Sequence, residues 1–569
     1  MKKSYWLIIV GLVIFSGTLY FIWNHFSKAP VAQETNVEFI PQVKASEEVA
    51  TLDYRNLALK TYKDLYTQEN MTAIQALIDE QKAAREYQFP EILALSNPYL
   101  TNTTGVYVYF ETATPTKVRY TVETTDAQFK SFAQIPFNST NATSGQAEAY
   151  TTQHEYQLLG AIAGEENTIT LITETASGEQ TEKRFTYTPP KLETTKKVSL
   201  TTKSGSSQAE LSQGLYAVIG NNNQKQDATY LADNDGVIRA EIPLVGYNST
   251  RLNLDGQGNM YLGLSEGRIA KFNSLGKMEK LYNLAEAGYL LHHDFVFDDE
   301  GNLLVLATSR EADEKEKLVE DRIIKVDVNN GAVTELADFR DYFPKLYQIA
   351  TGLSHEEKWD PIHLNTIQYV AKDDAVIVSS RETSTIMKVN QINTQPEIDY
   401  LISDPSVWEA VDEGYPLLEK VGDFVPQAGQ HTVTYLPDAN LADGQYYLYM
   451  FNNNSAFASS RADFKWDNYP DTGIYPGEED DFSLYYNYLV DENAGTYELV
   501  DSFEVPYSPI VSSAQQYQGH LVIDSGTKGV FAEYDQENQL ITEFTMELSA
   551  DYLYRVYKDD FNNYYFSAE

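Results

Sequence analysis

From about Pro98 onward, apolar and polar residues alternate over short runs, and Gly, Asn, Asp and Pro punctuate them. Period-two alternation bounded by turn residues predicts strands. The runs GVYVYFETATPTKVRYTVET, HEYQLLGAIAG, NTITLITETASG and EKRFTYTPP predict a small β-sandwich over residues 91–190. Lys191 to Glu210 is polar and rich in Ser, Thr and Lys, and reads as a linker. Beyond Leu211 short strands recur without a helix-rich block, as in LNLDGQGNMYLGLSEGRIAKFNSLG and DRIIKVDVNNGAVTEL. A strand opening Gly-Asn leads repeatedly into a hairpin whose turn reads Asp/Asn-x-x-Gly. Four-stranded units of about 40–60 residues then predict a six-bladed β-propeller over residues 211–569, with five or seven blades as alternatives.

The pattern differs before the sandwich. Tyr5 to Trp23 is apolar and uncharged, follows Lys2 and Lys3, and is long enough to span a membrane. Residues 1–26 therefore predict a transmembrane helix that serves as an anchor or signal segment. Pro30 directly after SKA disfavours cleavage there. The expected location is the cell membrane, single-pass, with the catalytic domain outside the cytoplasm. Residues 27–90 hold a polar spacer and then a helical segment. Leu57, Tyr62, Leu65, Met71, Ile74 and Ile78 recur at helical spacing, with a break expected near Asn70. The expected fold class is thus mainly β.

Composition narrows the function classes. With 83 Asp+Glu against 42 Lys+Arg, the net charge of −41 excludes nucleic acid and anionic membrane surfaces as partners. No Cys is present, which excludes disulfides, thiolate metal sites and Cys nucleophiles. The acidic GEEDD stretch lacks the spacing of a calcium loop and reads as a solvated turn in a long hairpin insertion. SREADEKEKLVE reads as a loop or short helix on a rim.

Three histidines stand in similar settings about 70 residues apart: His293 in LHHDFVFDDEGNLL, His363 in DPIHLNTIQYVAKDD and His431 in GQHTVTYLPD. Each opens a short strand. A residue repeated at one position of each blade points to the central axis of a closed ring. Aligning HHDFVF with GQHTVT pairs His293 with His431, leaving His292 as the alternative. Asn365 and Arg381 follow on the His363 segment. A late Gly-flanked turn adds Ser525, Thr527 and Lys528. Imidazoles, an amide, a guanidinium and hydroxyls suit a tetrahedral oxyanion such as sulfate or phosphate. Neutral imidazole is also a nucleophile and proton carrier near neutral pH. A zinc or copper site on three His is the rival, but Arg381 would repel a cation and no carboxylate ligand recurs. No metal and no cofactor are expected. A lone His154 at a strand edge reads as structural. A further alternative is a non-enzymatic surface propeller that binds glycans or peptides through rim aromatics.

These segments resemble the bacterial arylsulfate sulfotransferases, which work without the phosphoadenosine cofactor. The resemblance rests on HHDFVFDDEGNLL, on DPIHLNTIQY followed by IVSSRETSTIMKVN, on GQHTVTYL, and on NPYLTNTTGVYVYFET in the sandwich. It implies transfer of a sulfuryl group from an aryl sulfate to a phenolic acceptor by a ping-pong route. His431 then matches the nucleophile that becomes a sulfohistidine. His293, His363, Asn365 and Arg381 match positions that hold the sulfate oxygens, one histidine also serving as acid and base. A Thr/Lys pair from a late blade maps to Thr527 and Lys528. The resemblance implies a homodimer, although the sequence carries no interface signal. The family's enteric members contain a disulfide, which this chain cannot form. With water as acceptor the same site would be an aryl sulfatase.

Overall fold

The computed structural model describes residues 48–139, 150–195, 197–221, 227–245, 249–354, 357–456, 459–461, 473–474, 481–549 and 551–568. The expected anchor, residues 1–26, and most of the spacer lie outside the described residues. So does most of the acidic aromatic insertion. Among the described residues no helix is long and apolar enough to cross a membrane.

Residues 93–187 form a sheet bent on one long strand, Val106–Thr124. Its first half pairs with Leu93–Ser96 and Thr151–Leu158, its second half with Phe132–Gln134 and Asn167–Thr175. The pairing slips between Glu111 and Thr116. Pro115 lies in that slip, where its missing N–H costs no ladder bond. The two halves bury Val108, Phe110, Tyr120 and Leu171 in a common core. His154 is buried there, with Nε2 bonded to Thr116 Oγ1 at 3.1 Å and Nδ1 to the Tyr156 hydroxyl at 2.7 Å.

Helices Tyr62–Leu65 and Gln68–Ala83 precede the sheet. The break falls at Thr67, three residues before the expected Asn70, because the Thr67 hydroxyl caps the second helix by accepting the Asn70 N–H at 3.3 Å. Met71, Ile74 and Ile78 face the sandwich core, and Tyr66 packs edge-on against Phe272 of the next domain at 5.8 Å.

Six further sheets of four or five strands follow among the described residues. Their innermost strands are Arg555–Asp559, Leu252–Leu254, Tyr289–Phe297, Leu364–Val370, His431–Leu436 and Ser513–Tyr517, for the first to sixth sheet. Side chains tie each innermost strand to the next. The Arg251 guanidinium lies 4.6 Å from the Tyr557 ring. Asn253 donates to Phe295 O at 2.8 Å. Asp294 accepts Ile367 N–H, Asn365 donates to Gln430 O, and Thr432 accepts Ala514 N–H. Ser513 donates to Val556 O at 2.9 Å and completes the circuit. This is a propeller arrangement.

The ring closes twice. The C-terminal strand Arg555–Asp559 supplies the inner strand of the first sheet, and Thr201–Ser204 adds an outer strand to the sixth. Residues 201–204 lie within the stretch that reads as a linker. All four are exposed, so the strand has no apolar alternation to betray it.

Alternation shows where the core sits. In Leu303–Ser309, Leu303, Val305 and Ala307 pack towards the second sheet, while Leu304 and Leu306 pack towards the fourth. In the fourth sheet Val376 and Val378 face back to the third, and Ala375 and Ile377 face the fifth. Each middle strand is therefore apolar on both faces, and each fully buried Leu or Val contributes about 1.5–3 kcal/mol. The Asp-x-x-Gly turns are built alike. Asp298 accepts N–H groups of Glu300 and Asn302 at 3.0 and 2.8 Å, and Gly301 takes φ 78°. Asp233 and Asp255 do the same two and four residues on, and so does Asp535, where Asn538 at φ 59° takes the glycine's place.

Candidate active site

The inner strands of the third, fourth and fifth sheets each carry a bulge near their start. A residue in the left-handed region sits in or just before each one: His293 at φ 49°, His363 at 52° and Thr432 at 50°. Such a conformation costs about 1–3 kcal/mol for a non-glycine residue, and it gathers where function demands it. Counted from the left-handed residue, His431 matches His292 and not His293. The bulge re-aims each side chain, so the repeat that the sequence shows is not one backbone position used three times.

The first cluster forms between the third and fourth sheets. The His293 and His363 rings lie 4.6 Å apart, edge to face. His363 Nδ1 faces Asp360 Oδ2 at 2.5 Å and Glu320 Oε2 in a close contact. Glu320 also stands 3.9 Å from His293 Nδ1. The Arg381 backbone N–H donates to His363 O at 3.1 Å, and its guanidinium pairs with Glu382 at 2.9 Å and approaches Asp360 at 3.9 Å. Burial and the Arg381 charge push the His363 imidazole down, but Asp360 and Glu320 outweigh both and lift it to about 9. Burial lifts Asp360 to about 6, against the pull of His363. Burial drives His293 well below the usual imidazole range, and the charges of His363, His292 and His431 add to this. His292 falls to about 4 for the same first reason. Two neighbouring imidazoles thus differ in charge at neutral pH.

The second cluster spans the fifth and sixth sheets. His431 Nδ1 lies 2.8 Å from Asn453 Oδ1 and 3.0 Å from Gly429 O. The Asn453 amide nitrogen donates to Ser508 O at 2.7 Å and Val511 O at 3.1 Å. Two carbonyl acceptors can only face the NH₂ end, so Oδ1 must face the histidine. His431 Nδ1 therefore carries the hydrogen, and Nε2 carries the lone pair. Burial depresses His431 to about 3, overriding the Asn453 bond, with Arg381, His363 and Arg555 adding their charges. The Thr527 hydroxyl joins this cluster by donating to Ser508 Oγ at 3.1 Å.

A buried ion pair lies between the clusters. Arg555 Nη1 sits 3.1 Å from Asp294 Oδ1, both side chains fully buried. Arg555 Nη2 donates to Asn365 O at 2.7 Å. Asn365 itself donates through Nδ2 to Gln430 O at 2.7 Å, next to His431.

The structure thus brings His293, His363 and Arg381 into one cluster, and His431 with Thr527 into the other. Asn365 bridges them. Lys528 follows Thr527 as an exposed residue, and no contact joins it to the imidazoles among the described residues. Sequence reasoning missed Glu320, Asn453 and Arg555. Arg555 carried the one usable signal, a charge inside an alternating aromatic strand, LYRVYKDDF. Glu320 lies in a loop among other acidic residues, and Asn453 in a run of three Asn.

His293, Glu320 and His363 are also the group whose ligand-type atoms lie within 4.8 Å of one another among the described residues. The His363 Nδ1 is hydrogen-bonded to Asp360 and lies against Glu320, so the ring is held by its proton. Arg381 lies 3.9 Å from Asp360, opposite in charge to the Glu320 that lies against His363.

The sequence profile described as Arylsulfotransferase (ASST) matches residues 201–564. That described as the arylsulfotransferase Ig-like domain matches residues 93–190. No curated protein matches the chain. Among solved structures, a candidate 6-phosphogluconolactonase from Bacteroides fragilis is 11% identical, covering 78% of this chain and 98% of that one at a TM-score of 0.34. The WD40 domain of Toxoplasma gondii coronin is 8% identical, covering 62% and 77% at a TM-score of 0.30. BamB from Moraxella catarrhalis is 10% identical, covering 63% and 94% at a TM-score of 0.29. Scores this low bear on neither fold nor function. The two profile matches together span most of the described chain, and this chain belongs to the arylsulfotransferase family as an aryl sulfotransferase enzyme.

Proposed function

We propose that the six-bladed propeller moves a sulfuryl group from a phenolic sulfate ester to a phenolic acceptor in two displacements through His431. The observation that carries this reading is the Asn453 amide, whose two carbonyl acceptors leave His431 Nε2 as a neutral lone-pair donor. In the first displacement Nε2 attacks sulfur, the bond from sulfur to the phenolic oxygen breaks, and the electron pair leaves on that oxygen. His363 Nε2, buried without a protein partner, gives its proton to the departing phenolate. The sulfuryl group then rests on His431. In the second displacement the neutral His363 takes the proton of the acceptor phenol, whose oxygen attacks sulfur and releases Nε2.

Splitting the transfer lets donor and acceptor use one site in turn. Arg381 and His293 hold the sulfuryl oxygens, each well-aimed donor contributing about 3 kcal/mol. Proton transfer at His363 contributes about 10²–10⁴-fold. The substrates are small aryl compounds. We place the catalytic part outside the cytoplasm, on the strength of the apolar run Tyr5 to Trp23.

The test is a rapid-quench reaction with 4-nitrophenyl sulfate and no acceptor, followed by mass spectrometry of the peptides. A sulfuryl group on His431 is expected. Modification elsewhere, or none at early times, overturns the assignment. Nitrophenol release that ignores added phenol would make the enzyme a hydrolase.

A further inference from the structure

One ring nitrogen carries one hydrogen, yet His363 Nδ1 faces two carboxylates. Asp360 is three residues away and belongs to the same turn. Glu320 comes from the loop before the strand Arg322–Val326 and is held in place by its backbone. Its N–H donates to Thr308 Oγ1 at 2.9 Å, and its carbonyl accepts the Leu364 N–H at 3.0 Å, beside His363. It adopts φ 61°, a conformation that a glutamate keeps only where its surroundings impose it. Its carboxylate contacts His363 and stands 3.9 Å from His293 Nδ1, and with the two rings 4.6 Å apart a charge on one disfavours a charge on the other.

We propose that Glu320 is a positioning residue that keeps the transferable proton on His363 and off His293, and so decides which imidazole serves as the acid towards the leaving phenolate. This rests on the reading of His363 as that acid. The charged groups facing His363 are Glu320 and Asp360 on one side and Arg381, with Glu382 behind it, on the other; His292, His293 and His431 complete its surroundings. Arg381 and the other imidazoles disfavour a charge on His363. Asp360 favours the charge on His363 most, and Glu320 adds a second carboxylate to it. With Nδ1–H held by the carboxylates, the Nε2–H of His363 is the proton that reaches the phenolic oxygen as the sulfur–oxygen bond breaks.

The experiment is single-turnover release of phenols from a series of aryl sulfates, from the 4-nitrophenyl to the unsubstituted phenyl ester, across pH. It compares the full chain with Glu320→Gln, Glu320→Asp and His363→Gln. A leaving group that is a weaker base needs less help from an acid. Glu320→Gln is therefore expected to lose more rate as the leaving group becomes more basic, by about a further tenfold or more along the series. Its alkaline limb is expected to move to lower pH, and Glu320→Asp, which keeps the charge, to recover part of both. Equal losses along the series with an unmoved pH profile overturn the proposal. If His363→Gln steepens the series and Glu320→Gln does not, only Glu320 is misassigned. If His363→Gln leaves the series flat, the acid itself is misassigned and this proposal falls with it.

Discussion

On the wall built by the third and fourth sheets, His363 sits between Asp360 and Glu320 with Arg381 beside it, and its ring keeps a proton to about pH 9. On the wall built by the fifth and sixth sheets, His431 meets an amide and a carbonyl, and burial holds it neutral down to about pH 3. Both rings are nearly buried, and each stands at the start of a bulged inner strand, His431 as its first residue and His363 just before it. Desolvation alone would make both neutral. The difference comes from what each neighbour carries: carboxylates on one wall, amides and hydroxyls on the other. A repeated fold can therefore give two imidazoles opposite charge states without changing the residue type.

The comparison breaks first at His431. His431→Ala is expected to lower single-turnover release of nitrophenol by at least about 10⁴-fold, because among the described residues no other imidazole joins the Asn453 cluster. The mass spectrum of the quenched protein should then show no modified histidine. Retention of the burst would mean that direct displacement between bound donor and acceptor is the route.

The opposite wall is tested by His363→Gln. A loss of about 10²–10⁴-fold is expected with phenyl sulfate, whose leaving group is about as basic as a tyrosine side chain, and less with the nitrophenyl ester. The sign of the pH dependence follows from the two rings. The acid form of His363 is lost as pH rises through about 9, so the phenyl sulfate rate should fall above that pH. The nucleophile is protonated only near pH 3, so His431 imposes no acid limb around neutrality. The raised His363 value also stabilises the fold fully below about 6.5, the unfolded value, and this contribution fades as pH climbs through 9. Thermal melts of the wild type against His363→Gln between pH 6 and 10 should converge at the alkaline end.

Changing Asn453 makes one wall like the other. Asn453→Leu removes an acceptor from the His431 Nδ1–H, while Gly429 O remains at 3.0 Å. A loss of about tenfold is expected, the effect of one buried bond. Asn453→Asp instead sets a carboxylate against Nδ1. His431 should then gain a proton more readily, and an acid limb should enter the nitrophenyl sulfate profile at higher pH than in the wild type. An unchanged profile would mean that Asn453 does not govern the charge of the nucleophile.

How much of this was legible depends on the kind of signal. The mainly β character followed from alternation, and the repeated Asp-x-x-Gly turns marked the hairpins because each Asp closes its own turn locally. His293, His363, Arg381 and His431 could be singled out because rare residue types recurred on similar strands. The strand Thr201–Ser204 could not, since an exposed outer strand has no buried face to pattern. Glu320 was one acid among 83 Asp+Glu, and only the loop before the strand Arg322–Val326 brings it to His363. Asn453 acts through two carbonyls far along the chain, Ser508 and Val511, which no local pattern encodes. The pairing of His293 with His431 by sequence fails for a related reason: a bulge adds residues to one strand, and letters aligned across it no longer share a direction.

The smallest effect concerns the rim. Lys528 was assigned to the substrate by resemblance, but the structure leaves it exposed beyond Thr527. Exposed charges are screened within about 8 Å at physiological salt, whereas Arg381 is mostly buried and acts at short range. Lys528→Ala is therefore expected to change kcat/KM for 4-nitrophenyl sulfate by no more than about twofold, the range of an ordinary surface substitution. The chain's net charge of −41 should repel an anionic donor, and more so at low salt, in wild type and variant alike. A loss above tenfold confined to KM would show that the donor reaches the rim. The contrast between an acid wall and a nucleophile wall would then need a third surface, one that recruits the donor before either imidazole acts.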